Sequence, residues 1–170
     1  MDKLLDINYI KRNTPNTKSL KVDLKKVKNK GIGLYAIKPI KEDGLIAYYK
    51  ITVFREKGYK SPTNMAYSIE VVTKSDKQSK TFIGDLSLES LPLPCRGIPF
   101  WGYFANEPSS DQTPNCYIDP NLKENYKNRK RVKEGDAIIY KLRASRNIKK
   151  GEEITWCYGD AYERSYTPNC

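Results

Sequence analysis

Histidine is absent from the 170 residues of this chain. Without an imidazole, neither a Ser-His-Asp nor a Cys-His hydrolytic mechanism can operate. The four cysteines are widely spaced and include no CxxC pair, whereas zinc sites favour close pairs of Cys or His. We therefore expect no metal site, and we expect the thiols to be reduced, as in cytosolic or nuclear proteins.

Long apolar runs are also missing. No segment approaches the ~20 apolar residues that a membrane-spanning helix requires. The N-terminal sequence MDKLLDINYIKRN is too polar for the apolar segment of a signal peptide. The length suits one domain with a sizeable core. These features predict an intracellular protein, in the nucleus or the cytoplasm, that makes no contact with a membrane.

Positive charge is concentrated in two segments of the chain, whose net charge is +11. Residues 1–30 contain nine Lys or Arg against three acidic residues, and residues 120–150 contain eleven against three. Such a distribution is typical of a surface that makes electrostatic contact with nucleic acid or nucleosomes. A solvated, lysine-rich face is the alternative, because charge runs also occur without a polyanionic partner.

Short apolar segments between turn-forming residues predict a series of strands. The aromatic run Ile98–Asn106 is expected to start as a short helix, and the charged stretch Asn121–Gly135 is expected to be a loop. The pattern predicts a mainly β fold of small sheets, with an all-β barrel left open as an alternative. The predicted strands are Leu20–Val27, Gly31–Ile37, Leu45–Phe54, Ala66–Val72, Lys80–Asp85, Asn115–Asp119, Asp136–Ile148 and Glu153–Tyr158.

Three stretches could form a site, and each also has a purely structural interpretation. In KGIGLYA, alternate glycines would let a ligand approach the backbone of Gly31–Leu34, or they would mark a strand bulge. In GYFANEPSSDQTPNC, the amide of Asn106 can both donate and accept hydrogen bonds, although the stretch is also typical of a loop rich in turn formers. In GEEITWCYG, a strand ends at Tyr158, whose ring could instead belong to the core.

The order of these stretches, ending in A-x-R-x-I-x-x-G-E-E-I-T-x-x-Y-G at Ala144–Gly159, resembles the SET domain of protein lysine methyltransferases. The resemblance covers about residues 20–162, with residues 1–19 as an N-terminal flanking segment and residues 163–170 as a C-terminal tail. The continuation Tyr158–Tyr162 is similar to the minimal SET proteins of large DNA viruses. The resemblance implies a fold of small curved β-sheets with few short helices and a C-terminal pseudoknot, in which the last segment threads under a preceding loop.

The resemblance also implies the chemistry, which is transfer of a methyl group from S-adenosylmethionine to a lysine of a protein, with a histone tail as the default substrate. Tyr158 and Tyr67 are the implied catalytic residues. The residues implied to bind the cofactor are Gly31, Ile32, Gly33, Leu34, Asn106, the main chain of Glu107, and Tyr158. Those implied to line the substrate channel are Tyr67, Tyr117 and Tyr162. An acidic patch that could attract a basic peptide is expected from Glu152, Glu153, Asp160 and Glu163.

One region departs from the family pattern Arg-Phe-x-Asn-His-Ser-Cys-x-Pro-Asn. Here the chain reads YFANEP, so Glu107 occupies the position of the histidine, and an insertion precedes Pro114. The family's cysteine-rich zinc segment is not present, so the tail Tyr162–Cys170 would have to complete the lysine channel. A catalytically degenerate SET domain that binds a peptide or chromatin is therefore the alternative to a methyltransferase.

Overall fold

The computed structural model describes residues 2–14, 17–27, 30–63, 65–74, 79–87, 96–125, 132–160 and 162–170. Within them the chain is mainly β with a few short helices, as the sequence predicts. The helices are α1 (Asp2–Leu5), α2 (Ile7–Asn13) and α3 (Leu122–Asn125), with 3-10 turns at Thr17–Ser19 and Gly102–Phe104. The strands are β1 (Val22–Val27), β2 (Gly31–Ala36), β3 (Leu45–Phe54), β4 (Ile69–Lys74), β5 (Ser79–Asp85), β6 (Cys116–Asp119) and β7 (Ala137–Ala144). None of the helices in these residues is long and apolar enough to cross a membrane.

The strands form two antiparallel sheets. β1 and β2 pair alone, in a register that runs from Val22 opposite Ala36 to Val27 opposite Gly31 without a shift. The five-stranded sheet has the order β4-β5-β3-β7-β6, with an irregularity in β3 between Leu45 and Ala47. Because the β1–β2 register is regular, the glycines of β2 do not mark a bulge.

The core lies against the central strand β3. Its alternate residues Ala47, Tyr49, Ile51 and Val53 are buried, as period-2 alternation requires of a strand with one face on the core. Leu142 of the neighbouring β7 is completely buried as well. The apolar area removed from water here stabilises the sheet, and all five of its strands contribute residues to the groove described below.

The segment that follows β7 threads between separate parts of the fold. On one side Ile154 donates its N–H to the Leu34 carbonyl of β2 at 2.7 Å. On the other side Thr155 forms a parallel bridge with Asn106, and Trp156 donates its N–H to the Asn106 carbonyl at 3.0 Å. This is the pseudoknot that the resemblance implies, and it joins segments that are far apart in the sequence.

Asn115 fastens the threaded segment. Its side-chain amide donates to the Glu153 carbonyl at 2.7 Å and accepts the Thr155 N–H at 3.0 Å. Its own backbone N–H donates to the Thr155 carbonyl at 3.0 Å. Because Asn115 is only 2% exposed, water has little access to these groups.

The flanking segment 1–19 contains helices that the sequence analysis does not predict. Asp6 caps α2 by accepting the backbone N–H groups of Asn8 and Tyr9, which satisfies donors that a helix start leaves unpaired. Ile10 is buried in the core, and the Thr14 hydroxyl accepts the indole N–H of Trp101 at 3.3 Å. The apolar residues at the start of this segment are Leu4, Leu5, Ile7 and Ile10. They span too few residues to show the repeat that would predict a helix of seven residues.

Three local predictions need correction. The predicted strand Glu153–Tyr158 makes only single bridges, at Glu153 to Tyr35 and at Thr155 to Asn106, because its partners lie on different elements. The helix expected at Ile98–Asn106 is a 3-10 turn of three residues. The charged loop begins with α3, and its residues 126–131 lie outside the described residues.

Candidate active site

The threaded segment brings β2 and Asn106 together. The Asn106 side-chain amide donates to a carboxylate oxygen of Glu153 at 3.0 Å and to the Ile32 carbonyl at 3.4 Å. A Cβ atom at Gly33 would lie 3.0 Å from each of the same amide and carboxylate groups, and 2.6 Å from a methyl of Val27. Glycine is therefore required at position 33 by close packing, and Gly31 has a φ of 78° that also favours glycine.

Glu107, next to Asn106, connects this cluster to the start of β2. Its backbone carbonyl accepts the Lys30 ammonium at 2.8 Å. The predicted cofactor-binding residues Gly31–Leu34, Asn106 and Glu107 thus come from two distant parts of the sequence and lie side by side. The side chain of Glu107 makes other contacts, with the backbone of Tyr158 and with Arg164 of the C-terminal tail.

A groove of about 1000 Å³ lies on the other side of the Asn106 segment. Its floor is aromatic, and its outer part carries acidic side chains. Tyr67, Tyr158 and Tyr162, all predicted from the sequence, line it. The other aromatic lining residues are Tyr49, Phe82, Tyr103, Tyr140 and Trp156, and the acidic ones are Glu56, Glu70 and Glu163.

Tyr158 is held at both of its ends. Its hydroxyl donates to the Ala105 carbonyl at 2.9 Å, and its backbone N–H donates to Glu107 Oε1 at 3.0 Å. The indole N–H of Trp156 donates to the same Ala105 carbonyl at 3.1 Å. Burial, and after it the neighbouring Tyr162 phenol, raise the pKa of Tyr158 well above its ordinary value. The phenol is therefore neutral at physiological pH.

Tyr67 is positioned by buried neighbours. The Tyr49 hydroxyl donates to the Tyr67 carbonyl, and the Tyr67 ring meets the Tyr103 ring edge-on at 5.7 Å. The loop before it is fixed by Asp85, which is completely buried and accepts the hydroxyls of Tyr59 at 3.0 Å and Ser61 at 2.6 Å. Burial raises the pKa of Tyr67 also.

Tyr117 does not join this aromatic wall. It is 40% exposed, and its hydroxyl donates to Asp43 at 3.1 Å. The alternation of side chains along β6 explains the error, because its neighbour Ile118 faces the groove instead. Tyr117 therefore does not line this groove, contrary to the prediction that it shares one aromatic wall with Tyr67 and Tyr162.

The predicted acidic patch is also rearranged. Glu152 pairs with Arg146 at 2.8 Å, and the buried Glu153 accepts hydrogen bonds from Asn106 and from Gln112. Of the four predicted residues, only Glu163 lines the groove. Two acidic residues from distant segments, Glu56 and Glu70, lie there with it.

The C-terminal tail closes one side of the groove. Tyr162 meets the Tyr158 ring at 4.8 Å, and Asn169 donates its amide to the Gln112 carbonyl at 2.8 Å. The tail folds back so that Cys170 forms a disulfide with Cys157. The expectation of reduced thiols is therefore wrong for this pair, whereas Cys116 is a buried free thiol and Cys95 lies outside the described residues.

Sequence reasoning missed Tyr49, Tyr103 and Trp156. Two of them carried a signal, since Tyr103 precedes Asn106 by three residues and Trp156 precedes Tyr158 by two. Tyr49 gave none, because a tyrosine at an inward position of β3 is expected in a core whether or not it borders a groove.

The SET domain family profile matches residues 31–159, which is most of the chain. This range contains the glycine pair of β2, Asn106, Asn115 and the segment that ends at Tyr158. No curated protein has a significant sequence match to the chain.

Three solved structures illustrate the structural similarity. CpSET8 from Cryptosporidium has a TM-score of 0.52 and 21% identity, over 82% of this chain and 57% of that one. A candidate histone methyltransferase of Plasmodium falciparum has a TM-score of 0.48 and 19% identity, over 84% and 96% of the two chains. KRYPTONITE, solved with mCHH DNA, an H3(1-15) peptide and SAH, has a TM-score of 0.49 and 17% identity, over 87% and 25%. The similarity of Tyr158–Tyr162 to viral proteins remains a prediction.

Proposed function

The chain belongs to the SET domain family, and on that premise we propose that it is a protein-lysine N-methyltransferase. It would transfer a methyl group from S-adenosylmethionine to a lysine side chain, with a histone tail as the default substrate class. The observation that carries this proposal is the position of Tyr158, which lines the aromatic groove with its hydroxyl fixed on the Ala105 carbonyl. The cluster of Asn106 and β2 lies immediately beside that carbonyl.

The residues around Gly33 fit S-adenosylmethionine. This cofactor carries an ammonium and a carboxylate. The cluster offers the Glu153 carboxylate and peptide carbonyls of β2 to the ammonium, and the Lys30 ammonium and Asn106 amide to the carboxylate. The absence of a side chain at Gly33 keeps these groups close to the backbone. When bound, S-adenosylmethionine supplies an electrophilic methyl group. Gly31–Leu34, Asn106 and the main chain of Glu107 would hold it.

The groove would prepare the acceptor lysine. A lysine ammonium has no lone pair for attack, so its proton must leave first. Desolvation between the rings of Tyr67, Tyr158 and Tyr162 would favour the neutral amine by lowering its pKa. The fixed hydroxyl of Tyr158 would orient the amine, and alignment of this kind supplies much of a rate enhancement. The ring faces would also tolerate a methylated ammonium product through cation–π contact.

The acidic side chains indicate what kind of acceptor the groove suits. Glu56, Glu70 and Glu163 line it and are exposed. Exposed carboxylates attract a basic peptide over a distance of about one Debye length, ~8 Å at physiological salt. A lysine flanked by further basic residues, as in a histone tail, therefore fits better than a lysine in an acidic sequence.

Contact with nucleic acid or a nucleosome is a second element of the proposed partner set. The support for it is the excess of Lys and Arg in residues 1–30 and 120–150. If the bound polyanion is the DNA of a nucleosome, the histone tail that would serve as acceptor peptide is brought to the protein with it. Such binding would weaken steeply with added salt, since it depends on counterion release.

We predict that Asn106→Ala weakens the binding of S-adenosylmethionine about tenfold, which corresponds to roughly 1.4 kcal/mol. The substitution removes the amide that contacts Ile32 and Glu153. Isothermal titration calorimetry of the purified protein measures this directly. Asn8→Ala, on the exposed surface of α2, is the matched control and should bind like the unmutated protein.

The same titration separates the two functional readings. Binding to the unmutated protein with loss in Asn106→Ala supports the methyltransferase. If the folded protein binds a basic peptide but neither S-adenosylmethionine nor its demethylated product, the catalytically degenerate binding module is the correct reading. The observation that supports this alternative is Glu107, which stands where the family pattern has a histidine.

We predict that kcat/KM for the acceptor peptide, at saturating S-adenosylmethionine, rises with pH from 7 to about 9.5 by nearly tenfold per unit, because kcat/KM follows the ionisation of the free lysine, whose pKa is about 10.4. Three tyrosines of the groove do not oppose this rise. Burial raises the pKa of Tyr67, Tyr103 and Tyr158, so their hydroxyls stay protonated throughout that range. Initial rates on a histone H3 tail peptide, with circular dichroism at each pH, test this. A descending limb below pH 9.5 in a protein that remains folded would contradict it.

A further inference from the structure

Glu107 is the centre of a buried ionic contact between the Asn106 segment and the tail. Its side chain is 1% exposed. One carboxylate oxygen accepts the backbone N–H of Tyr158 at 3.0 Å and Arg164 Nη2 at 2.8 Å. The other accepts Arg164 Nε at 2.9 Å and the Tyr166 hydroxyl at 2.8 Å. Four donors thus converge on one carboxylate.

Such a carboxylate is unstable in the interior without its cation. The two-point Arg164 contact is the geometry in which guanidinium and carboxylate pair best. Loss of either partner leaves a buried charge or donor uncompensated, whereas loss of both does not. Tyr166 remains a donor, because burial and its hydrogen bond to Glu107 raise its pKa to about 12. The contact should therefore hold the tail in one position at neutral pH.

The tail held by this contact contributes to the groove. Tyr162 and Glu163, the two residues before Arg164, both line it. The Arg164 guanidinium lies 5.4 Å from the Tyr162 ring centroid and donates to the Gly159 carbonyl at 2.6 Å. Displacement of Arg164 would therefore move an aromatic wall and an acidic residue at once.

We propose that Glu107 is a positioning residue, which fixes Tyr162 and Glu163 at the acceptor groove through Arg164 and Tyr166 and so sets the affinity for the acceptor peptide. This inference rests on the proposed methyl transfer. Glu107 would then have two separate roles. Its carbonyl accepts a hydrogen bond from Lys30 on the cofactor side, whereas its carboxylate faces the tail. Glu107→Gln keeps a side-chain oxygen that can accept the Tyr158 N–H, so it should affect the tail and the peptide while sparing the cofactor.

The first experiment is a cycle of Glu107→Gln, Arg164→Met and the double variant. With a histone H3 tail peptide we expect KM to rise about tenfold in Arg164→Met, with kcat reduced less than threefold and the Kd for S-adenosylmethionine unchanged. The double variant should have a lower KM than Arg164→Met alone, because it no longer buries an unpaired carboxylate. Tyr166→Phe removes one donor from a half-exposed position, so it should fold normally and raise KM about threefold.

The second experiment measures how firmly the tail is held, and it does not depend on methyl transfer. In the folded protein the Arg164 guanidinium is bound to Glu107, so trypsin should cut slowly at the bond between Arg164 and Ser165. In Glu107→Gln this cut should be at least fivefold faster, followed by mass spectrometry as release of the peptide 165–170 after reduction of the Cys157–Cys170 disulfide. Glu134→Gln, in the exposed pair with Arg55, is the matched control and should change neither the cut nor KM.

Either of two results overturns the inference. The first is an unchanged rate of cleavage at Arg164 in Glu107→Gln. The second is a loss of cofactor affinity as large as the rise in KM, since a merely structural role would affect both sides. If the unmutated protein methylates no lysine peptide, the proposed function fails, and the cleavage rates alone decide whether Glu107 fixes the tail.

Discussion

Tyr158→Phe is expected to slow methyl transfer about 100-fold while the protein remains folded. The substitution removes only the hydroxyl that donates to the Ala105 carbonyl at 2.9 Å. The ring keeps its contacts with Trp156 at 5.1 Å and Tyr162 at 4.8 Å, so the walls of the groove are preserved. Loss of one hydrogen bond costs about 1 kcal/mol of stability. Single-turnover rates at saturating S-adenosylmethionine, on a histone H3 tail peptide, measure the effect on the transfer step itself.

Tyr117→Phe is the control for this substitution. It removes the same hydroxyl from a residue that donates to Asp43 on the exposed side of β6. We expect its transfer rate to equal that of the unmutated protein. Transfer by Tyr158→Phe at the unmutated rate would show that the phenol does not orient the reacting groups. A slow Tyr117→Phe would instead show that the wall of the groove has been wrongly identified.

The contrast between these two tyrosines shows what the sequence can predict. Tyr158 stands at a fixed place in a long motif, so its role is implied by the residues around it. Tyr117 lies outside that motif, so the resemblance implies its place less closely, and the pleat of β6 turns it away from the groove. A shift of one position along a strand changes the face that a side chain occupies, and single-sequence patterns rarely fix that position.

Strand patterns were predicted well where both partners lie in one sheet. β3 has the predicted bounds Leu45–Phe54, and β4 and β5, which overlap two further predicted strands, pair with each other. The threaded segment was harder, because Glu153 and Thr155 bond to different elements and form no continuous ladder. Local periodicity reports a strand but not the partners that lie on each side of it.

Glu107 marks the limit of reasoning from a motif. In the sequence it is only a departure from a histidine. The structure supplies its compensating partners, Arg164 and Tyr166, from a tail some sixty residues later. A buried carboxylate requires such partners, so a Glu at an otherwise buried position does predict a cation elsewhere. The sequence gives no indication of which Lys or Arg provides it.

Asn115→Ala is expected to lower the free energy of unfolding by about 4 kcal/mol, because two buried backbone groups lose their partners at about 1–3 kcal/mol each. These groups are the Thr155 N–H and the Glu153 carbonyl. Neither group can turn to water, since Thr155 is 1% exposed and Glu153 8%. Urea unfolding followed by circular dichroism measures the change, which should shift the midpoint without altering the slope.

Asn13→Ala is the matched control for stability. It removes an amide that also makes one backbone hydrogen bond, to the Tyr9 carbonyl at 2.8 Å, but on the exposed end of α2. We expect it to change the free energy of unfolding by less than about 0.5 kcal/mol. An unchanged midpoint in Asn115→Ala would mean that the threaded segment is held by its contacts with β2 alone.

The activity of Asn115→Ala should follow its folded fraction and nothing else. Asn115 touches neither the groove nor the β2 glycines, but it fixes Glu153, whose carboxylate contacts Asn106, and Thr155, which is three residues before Tyr158. If the segment is released, the cofactor side and the lysine side are lost together. In a sample kept well below its urea midpoint, S-adenosylmethionine binding and transfer rate should therefore equal those of the unmutated protein, and both should fall by the same factor as urea unfolds the variant. A loss of transfer alone, of the kind expected for Tyr158→Phe, would mean that Asn115 acts on the chemistry rather than on the threading.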